Sequence, residues 1–457
     1  MSRSRDPGEE LIKAEEGALP EPGDEGFTEE LVADLESPPP PLLRSAFASG
    51  GALASFAHRD FSLLWSGAFV SNLGTLVHNT ALLWYVKEVM HANRWVAAVN
   101  FANFAPIIIF VLWAGALADR LDRRRLIIVT QAVMALAALA LALATTFGWT
   151  SRNIWIILST TFVLGTGFVF TFPAWRAFVP DIVPRKDMLN AIALDAAGFN
   201  MARFLGPAIA GLVLAVWSAA GAFYINAASF IAVIGAMLLI APRPPMGPPR
   251  GSVGRDVRQG LSYVLGHRWA LKVLGTLLAA TFFGLSFIVL LPGFAKDVLH
   301  GGAWTYAALF GASGLGASVG APLVTHLSRR HRENVIIKWS LLLFNGSLFL
   351  LAVSRWTWLS AIGAFFSGVG FLMASSSMVT VLQSRVERNM RGRIMSFYIL
   401  VFLGSAPLGG LLLGALSDRT SVPTAMYVGA CGVAVLMAAL FLFPSILREA
   451  VAGQPIT

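Results

Sequence analysis

Within eleven residues, Gly115-Ala-Leu-Ala-Asp-Arg-Leu-Asp-Arg-Arg-Arg125, the chain sets two acids and four arginines between two long apolar runs. The chemistry open to such a cluster is noncovalent: a carboxylate accepts hydrogen bonds from the free amides at a helix start, and a guanidinium pairs with a carboxylate. Asp119 is the candidate acceptor, and a helix beginning between Arg391 and Ile394 is the candidate donor. Arg123 or Arg124 would complete this latch through Asp181, and Gly115 would let its helix approach a neighbour closely. Arg120 and Arg125 extend the charge that must meet water. Charge this dense is too costly for hydrocarbon, so the stretch is a turn between two membrane spans.

Three further charges stand inside apolar runs. Arg176 and Asp195 flank a hairpin at Val183 to Asp187 that sets them level, so a salt bridge between them is expected; an unpaired charge there would cost roughly 3 kcal/mol. Arg203 lies two turns beyond Asp195 and three residues before Gly206-Pro207. It meets either an anionic solute or carbonyls freed near the proline. Asn72, Thr75 and Asn79 share one helical face, as do Asn100 and Asn103, and with His78, Asn345, Ser376 and Thr380 they are candidates to line a central cavity. The competing use of such residues is hydrogen bonding between helices. A cavity of neutral polarity with Trp and Phe walls suits a bulky amphipathic or apolar solute better than a sugar.

Other chemistries find no support. His78, Asp195 and Arg203 form no recognisable catalytic set, and no Walker-type stretch is present, so neither an enzyme nor direct use of ATP is expected. The single cysteine, Cys431, excludes an intramolecular disulfide and a Cys-based metal site, and reads as a small core residue. No cofactor and no metal are expected. Basic residues are scattered over loops rather than gathered in one stripe, which argues against nucleic acid.

These residues need a membrane scaffold to position them. Apolar residues make up 56% of the chain and charged ones 13%. Twelve spans are expected, the first at 61–86, the seventh at 270–295 and the last at 422–443. The fold class is therefore an all-α membrane protein of twelve transmembrane helices. Residues 1–45 carry a net −8 and lack a signal-peptide stretch; they read as a disordered acidic tail, with one short helical segment at Thr28 to Glu36. Residues 56–241 form a first six-helix half, 242–268 a linker opening on prolines and continuing as an amphipathic helix, 269–444 a second half, and 445–457 a short tail. Arginines crowd the loops at Arg120 to Arg125, Arg185, Arg243 to Arg268, Arg329 to Arg332 and Arg385 to Arg393, which makes that side, and both termini, cytoplasmic. At a constant offset of 206, Leu117, Leu121, Arg123 and Arg124 fall on Leu323, Leu327, Arg329 and Arg330, whereas Asp119 falls on Thr325. Two pseudo-symmetric halves with solute bound between them are the repeat architecture of secondary transporters. Loss of the acid at Thr325 makes the latch asymmetric, with the first half supplying most of its charge.

The pattern Gly115-x-Leu117-Ala-Asp119-Arg120-x-x-Arg123-Arg124 resembles the loop 2–3 motif of the major facilitator superfamily, and the resemblance runs from Phe56 to about Pro444. Ser71 to Gly74, Phe172 to Ala174, Gly206 to Gly211, Gly314 to Ala317 and Gly414-Ala-Leu-Ser-Asp418-Arg419 resemble its bacterial drug and siderophore exporter branch, which includes the enterobactin exporter. That resemblance implies a monomeric, proton-coupled exporter of a hydrophobic drug-like or siderophore-like small molecule, working by alternating access in the bacterial inner membrane. This sequence has Thr75 where many relatives carry an acid, which leaves His78 as an alternative titrating group. Uptake by the same fold, and a non-transporting sensor or scaffold acting through the acidic tail, are the rival readings.

Overall fold

A backbone in hydrocarbon must satisfy its own amides, so long apolar runs fold as long helices. The computed structural model describes residues 53–241, 253–387 and 390–442, without the side chains of Leu112, Gly115, Ala116, Ala118, Asp119, Arg120, 253–257 and 440–442. The acidic tail, the proline-rich start of the linker and the C-terminal tail lie outside the described residues.

Twelve long helices run in order: α1 Arg59–Met90, α2 Asn93–Arg120, α3 Arg123–Thr146, α4 Ile154–Ile182, α5 Met188–Val216, α6 Ala219–Leu239, α7 Arg268–Val298, α8 Ala303–Leu327, α9 Glu333–Val353, α10 Thr357–Arg385, α11 Arg391–Arg419 and α12 Val422–Leu442. Among the described residues, eleven helices are long and apolar enough to cross a membrane. The remaining one, α1, has the length but carries Asn72, Thr75, His78, Asn79 and Thr80 within it. It also runs a turn beyond the expected end at 86, and that extra turn holds Lys87 and Glu88.

From Ser55 onward the helices make one compact unit. Among the first six spans α1 packs on α5 and α6, and α4 on α2 and α3; among the last six, α10 packs on α8 and α9. Most of the contact between the sets is made by α2 with α11 and α5 with α8, with smaller contacts of α7 on α1 and α2 and of α8 on α1. Small residues allow the closest approaches: a Cβ on Gly316 would collide with the Phe365 carbonyl, and one on Gly368 with the Ser313 carbonyl, which fixes α8 against α10.

Three features depart from the sequence reading. Rather than a regular span over 270–295, α7 loosens into π-type turns at Ala280–Gly284 and Phe294–Val298 with 3₁₀ turns at Leu285–Leu290 between them. The Ser286 hydroxyl supports the break, its one proton lying within reach of the carbonyls of Phe282 (2.6 Å) and of Ala406 in α11 (2.7 Å) as alternative acceptors. Cys431 is exposed on α12, because a lipid-facing position needs an apolar run as much as a core does. The linker helix, Val253–Gly266, buries Val264 but leaves Leu261 and Leu265 exposed, and Gly260 lies against Phe397 of α11. It is thus docked on the bundle along one edge. Partial burial raises the Tyr263 phenol above its usual range, and the nearby Glu387 carboxylate adds to the rise.

Candidate functional site

A cavity of about 210 Å³ lies on the seam where α1, α2, α4 and α5 face α7, α8 and α11. Pro207 and Pro407, which interrupt the helical ladders of α5 and α11, line the seam within one turn or at the wall of this space. Its polar lining is Asn79, Asn100, Asn103, Thr161 and Ser286 together with the charge of Arg203; the rest is apolar, with Phe104, Phe310 and Phe402 the largest side chains.

Of the cavity candidates read from sequence, Asn79, Asn100 and Asn103 therefore meet, and Arg203 joins them. The other α1 residues do not. The Thr75 hydroxyl donates to Asn226 Oδ1 of α6 (3.3 Å). His78 is buried against Phe223 of α6, ring centroids 4.7 Å apart, and neither ring nitrogen has a hydrogen-bond partner among the described residues. The reason is geometric: positions three and four apart cover a wide arc of α1, and only one edge of that arc faces the seam. Asn72 is half-buried outside the lining, and Asn345 is buried within α9. Thr380 donates to the Ser376 carbonyl on its own helix (3.2 Å). Sequence alone missed Thr161, Ser286, Phe310 and Phe402, which are unremarkable until the α7 break and the α2–α11 crossing place them.

The expected charge network separates into parts. Arg176 is exposed, with its guanidinium over the Phe172 ring at 5.1 Å, and Asp195 accepts from Trp175 Nε1 at 3.4 Å. No salt bridge joins Arg176 and Asp195 among the described residues, although the Arg176 charge still acts on the Asp195 carboxylate across the gap.

At the arginine-rich end, Arg123 Nη1 donates to Asp181 Oδ2 (2.6 Å) and to the Ala177 carbonyl (3.3 Å), tying α3 to α4. Arg124 serves differently, donating to the Met237 (2.5 Å) and Leu238 (3.1 Å) carbonyls that end α6. Asp122, assigned no role from sequence, accepts from the Arg125 amide (3.0 Å) and caps α3. The side chains of Gly115, Asp119 and Arg120 lie outside the described residues. Their backbone is placed by the α2–α11 register: Gly414 packs on Asn93, Arg94 and Ala97, and Gly404 on Ile108. The two helices therefore run antiparallel, so the C-terminal turn of α2 lies toward the end at which α11 begins.

The opposite end holds contacts that the sequence reading did not foresee. Asp418, at the end of α11, accepts from the amides of Asn93 (2.7 Å) and Arg94 (3.1 Å), so it caps the start of α2. Beside it Lys87 of α1 pairs with Asp297 of α7 (2.6 Å), and Lys296 of α7 pairs with Glu88 of α1 (2.5 Å). Two lysine–acid dipeptides thus exchange partners across the seam. A helix cap contributes about 1 kcal/mol and the half-exposed Lys296–Glu88 pair at most about 1 kcal/mol, while the buried Lys87 gives the Lys87–Asp297 pair more weight than a surface pair. Their sum is enough to bias a conformational equilibrium without locking it.

The family model described as "transmembrane secretion effector" matches residues 50–455. The chain is 24% identical to the staphyloferrin A transporter of Staphylococcus aureus over 358 residues, which is 78% of this chain and 88% of that one. It is 21% identical to macrolide efflux protein A of Streptococcus pyogenes over 375 residues, 79% and 90% of the two. The crystal structure of the nucleoside transporter NupG superposes with a TM-score of 0.66 at 16% identity, covering 85% of this chain and 99% of that one.

Proposed function

The chain belongs to the transmembrane secretion effector family of the major facilitator superfamily and is a multi-pass membrane transporter, and from this we propose that it exports a hydrophobic drug-like or siderophore-like solute by proton-coupled alternating access. The observation that carries the reading is the cavity on the seam, with reciprocal polar contacts gathered across that seam at one end. Two halves, residues 56–241 and 269–444, rock about the cavity while the linker at 242–268 joins them. The positive-inside rule makes the arginine-rich end cytoplasmic, so the contacts at Asp418, Lys87 and Lys296 close the outer face and leave solute to enter from within. In the alternate state Asp119 caps the start of α11 and closes the inner face, while the Arg123–Asp181 pair holds α3 to α4 in both states. Asp195, a carboxylate within a span, is assigned the coupling proton. Names of relatives support solute class and direction: one is a staphyloferrin A transporter and one a macrolide efflux protein.

Everted inner-membrane vesicles provide the test. With a panel of siderophore chelates and macrolides, at least one solute is expected to accumulate only with a proton gradient and to dissipate part of it, and Asp119→Asn to abolish both effects at normal expression. Accumulation in right-side-out vesicles instead would establish uptake, and unchanged export by the variant would remove the latch.

A further inference from the structure

We propose that Arg203 is the anchor for a negatively charged group on the transported solute, so that the cavity selects amphipathic anions; this rests on the transporter reading above. Among the described residues, Arg203 is the one charged residue lining the cavity, and no carboxylate lines it. Among the described residues its guanidinium has no hydrogen bond and no ion pair. Asp195, two turns away on the same helix, is instead engaged by Trp175.

A structural use for the charge is poorly served by the local geometry. Pro207 lacks the amide that would bond the carbonyl four residues earlier, and that carbonyl belongs to Arg203 itself. It points at α8, where a Cβ on Gly314 would stand 2.7 Å from it and 3.4 Å from Arg203 Cγ. Glycine at 314 therefore gives the Arg203 backbone and stem their place against α8, and the freed carbonyl does not take up the guanidinium.

The surroundings define the ligand. Asn79, Asn100 and Asn103 supply neutral amides on the first-half wall, and Phe310 and Phe402 supply aromatic surface across from them. A guanidinium fork matches a carboxylate through two parallel hydrogen bonds, and the low dielectric of the span strengthens the attraction. An unpaired guanidinium in a span is costly, so the solute is welcomed as a counter-charge. The chemical class is an apolar or aromatic body bearing a carboxylate.

The test uses the full chain in nanodiscs and three probes of one shape: pyrenebutyrate, its methyl ester, and the pyrenebutyl trimethylammonium ion. Quenching of tryptophan fluorescence reads binding. The carboxylate is expected to bind roughly tenfold or more tighter than the ester and the cation, in keeping with a hydrogen bond to a charged group. Arg203→Gln should erase that preference without weakening the ester, and Arg203→Lys should keep part of it, which also guards against a misfolded Gln variant. A purely structural role would lower binding of all three probes alike, and equal binding of the three by the unaltered protein would overturn the proposal. Nanodiscs of phosphatidylcholine with and without phosphatidylglycerol separate solute from lipid: equal affinity in both supports a solute site, and competition by the anionic lipid assigns the charge to a headgroup and overturns the solute anchor. Flux of the same probes in everted vesicles separates the two readings. Export of the carboxylate probe unaffected by Arg203→Gln leaves a transporter without an anion anchor, whereas Arg203-dependent anion binding with no flux of any probe retains the anchor and counts against export.

Discussion

The two ends of the α2–α11 pair carry nearly the same hexapeptide. Gly115-Ala-Leu-Ala-Asp119-Arg120 closes α2 at the arginine-rich end, and Gly414-Ala-Leu-Ser-Asp418-Arg419 closes α11 at the far end. Because the helices are antiparallel, the Gly414 hexapeptide meets the N-terminus of α2, and the Gly115 hexapeptide ends α2 on the side where α11 begins. In this structure Asp418 occupies the start of α2. The repeat between halves together with the inverted repeat nested within each half relates α2 to α11, so one sequence device can serve both faces. The difference between the ends lies in what braces them. Beside Asp119, Arg123 and Asp181 join α3 to α4 within the first six spans. Beside Asp418, Lys87 and Lys296 cross the seam to acids on the other set. The first brace should govern stability, and the second should govern the balance of conformations.

That contrast can be broken by substitution, and the largest effect should come from the first brace. Asp181→Ala strands the Arg123 guanidinium, whose side chain is 15% exposed, and should cost about 3 kcal/mol of stability, read as a lowered midpoint of thermal unfolding. Its conformational balance should stay close to that of the unaltered chain. Next is Lys87→Glu, which sets a third acid beside Glu88 and Asp297 and should shift the balance toward far-end opening by about tenfold, or about 1.4 kcal/mol. The readout is labelling of Asn79→Cys by an impermeant maleimide from the far side, in a Cys431→Ser background. Adding Asp297→Lys should return labelling toward its starting rate. Smallest is Arg94→Ala: its guanidinium is 3.9 Å from Asp418 and 64% exposed, so labelling should change by less than about twofold, since exposed pairs contribute little. Asp418→Ala, which removes the cap itself, should have about fivefold effect, corresponding to about 1 kcal/mol.

Much of this scaffold is legible in the residues. Hydropathy and arginine placement give twelve helices and the two kinds of end, because lipid leaves a backbone few choices. Arg203 and the asparagines at 79, 100 and 103 are legible as cavity residues because polarity inside a span has few uses. His78 and Thr75 are not separable from Asn79 on such grounds; only the packing of α6 decides which edge of α1 is covered. Arg176 and Asp195 share a depth and feel each other's charge, but depth alone does not set contact: one group is exposed over Phe172 and the other is bonded to an indole. Lys87-Glu88 and Lys296-Asp297 look like ordinary charged helix ends, and their meaning appears only when α1 and α7 are set side by side. The asymmetry expected from Thr325 concerned the arginine-rich end, while the far end is reciprocal.

Distances between spin labels at both ends test the central claim most directly. In a Cys431→Ser background, one pair at Ala92→Cys and Thr420→Cys reports the far end, and another at Leu121→Cys and Gly392→Cys reports the arginine-rich end. Asp418→Ala should lengthen the first distance and shorten the second, and Asp119→Ala should do the reverse. If both substitutions change either distance in the same direction, or each moves only the end it occupies, the two hexapeptides are not exchanging latches and the account fails.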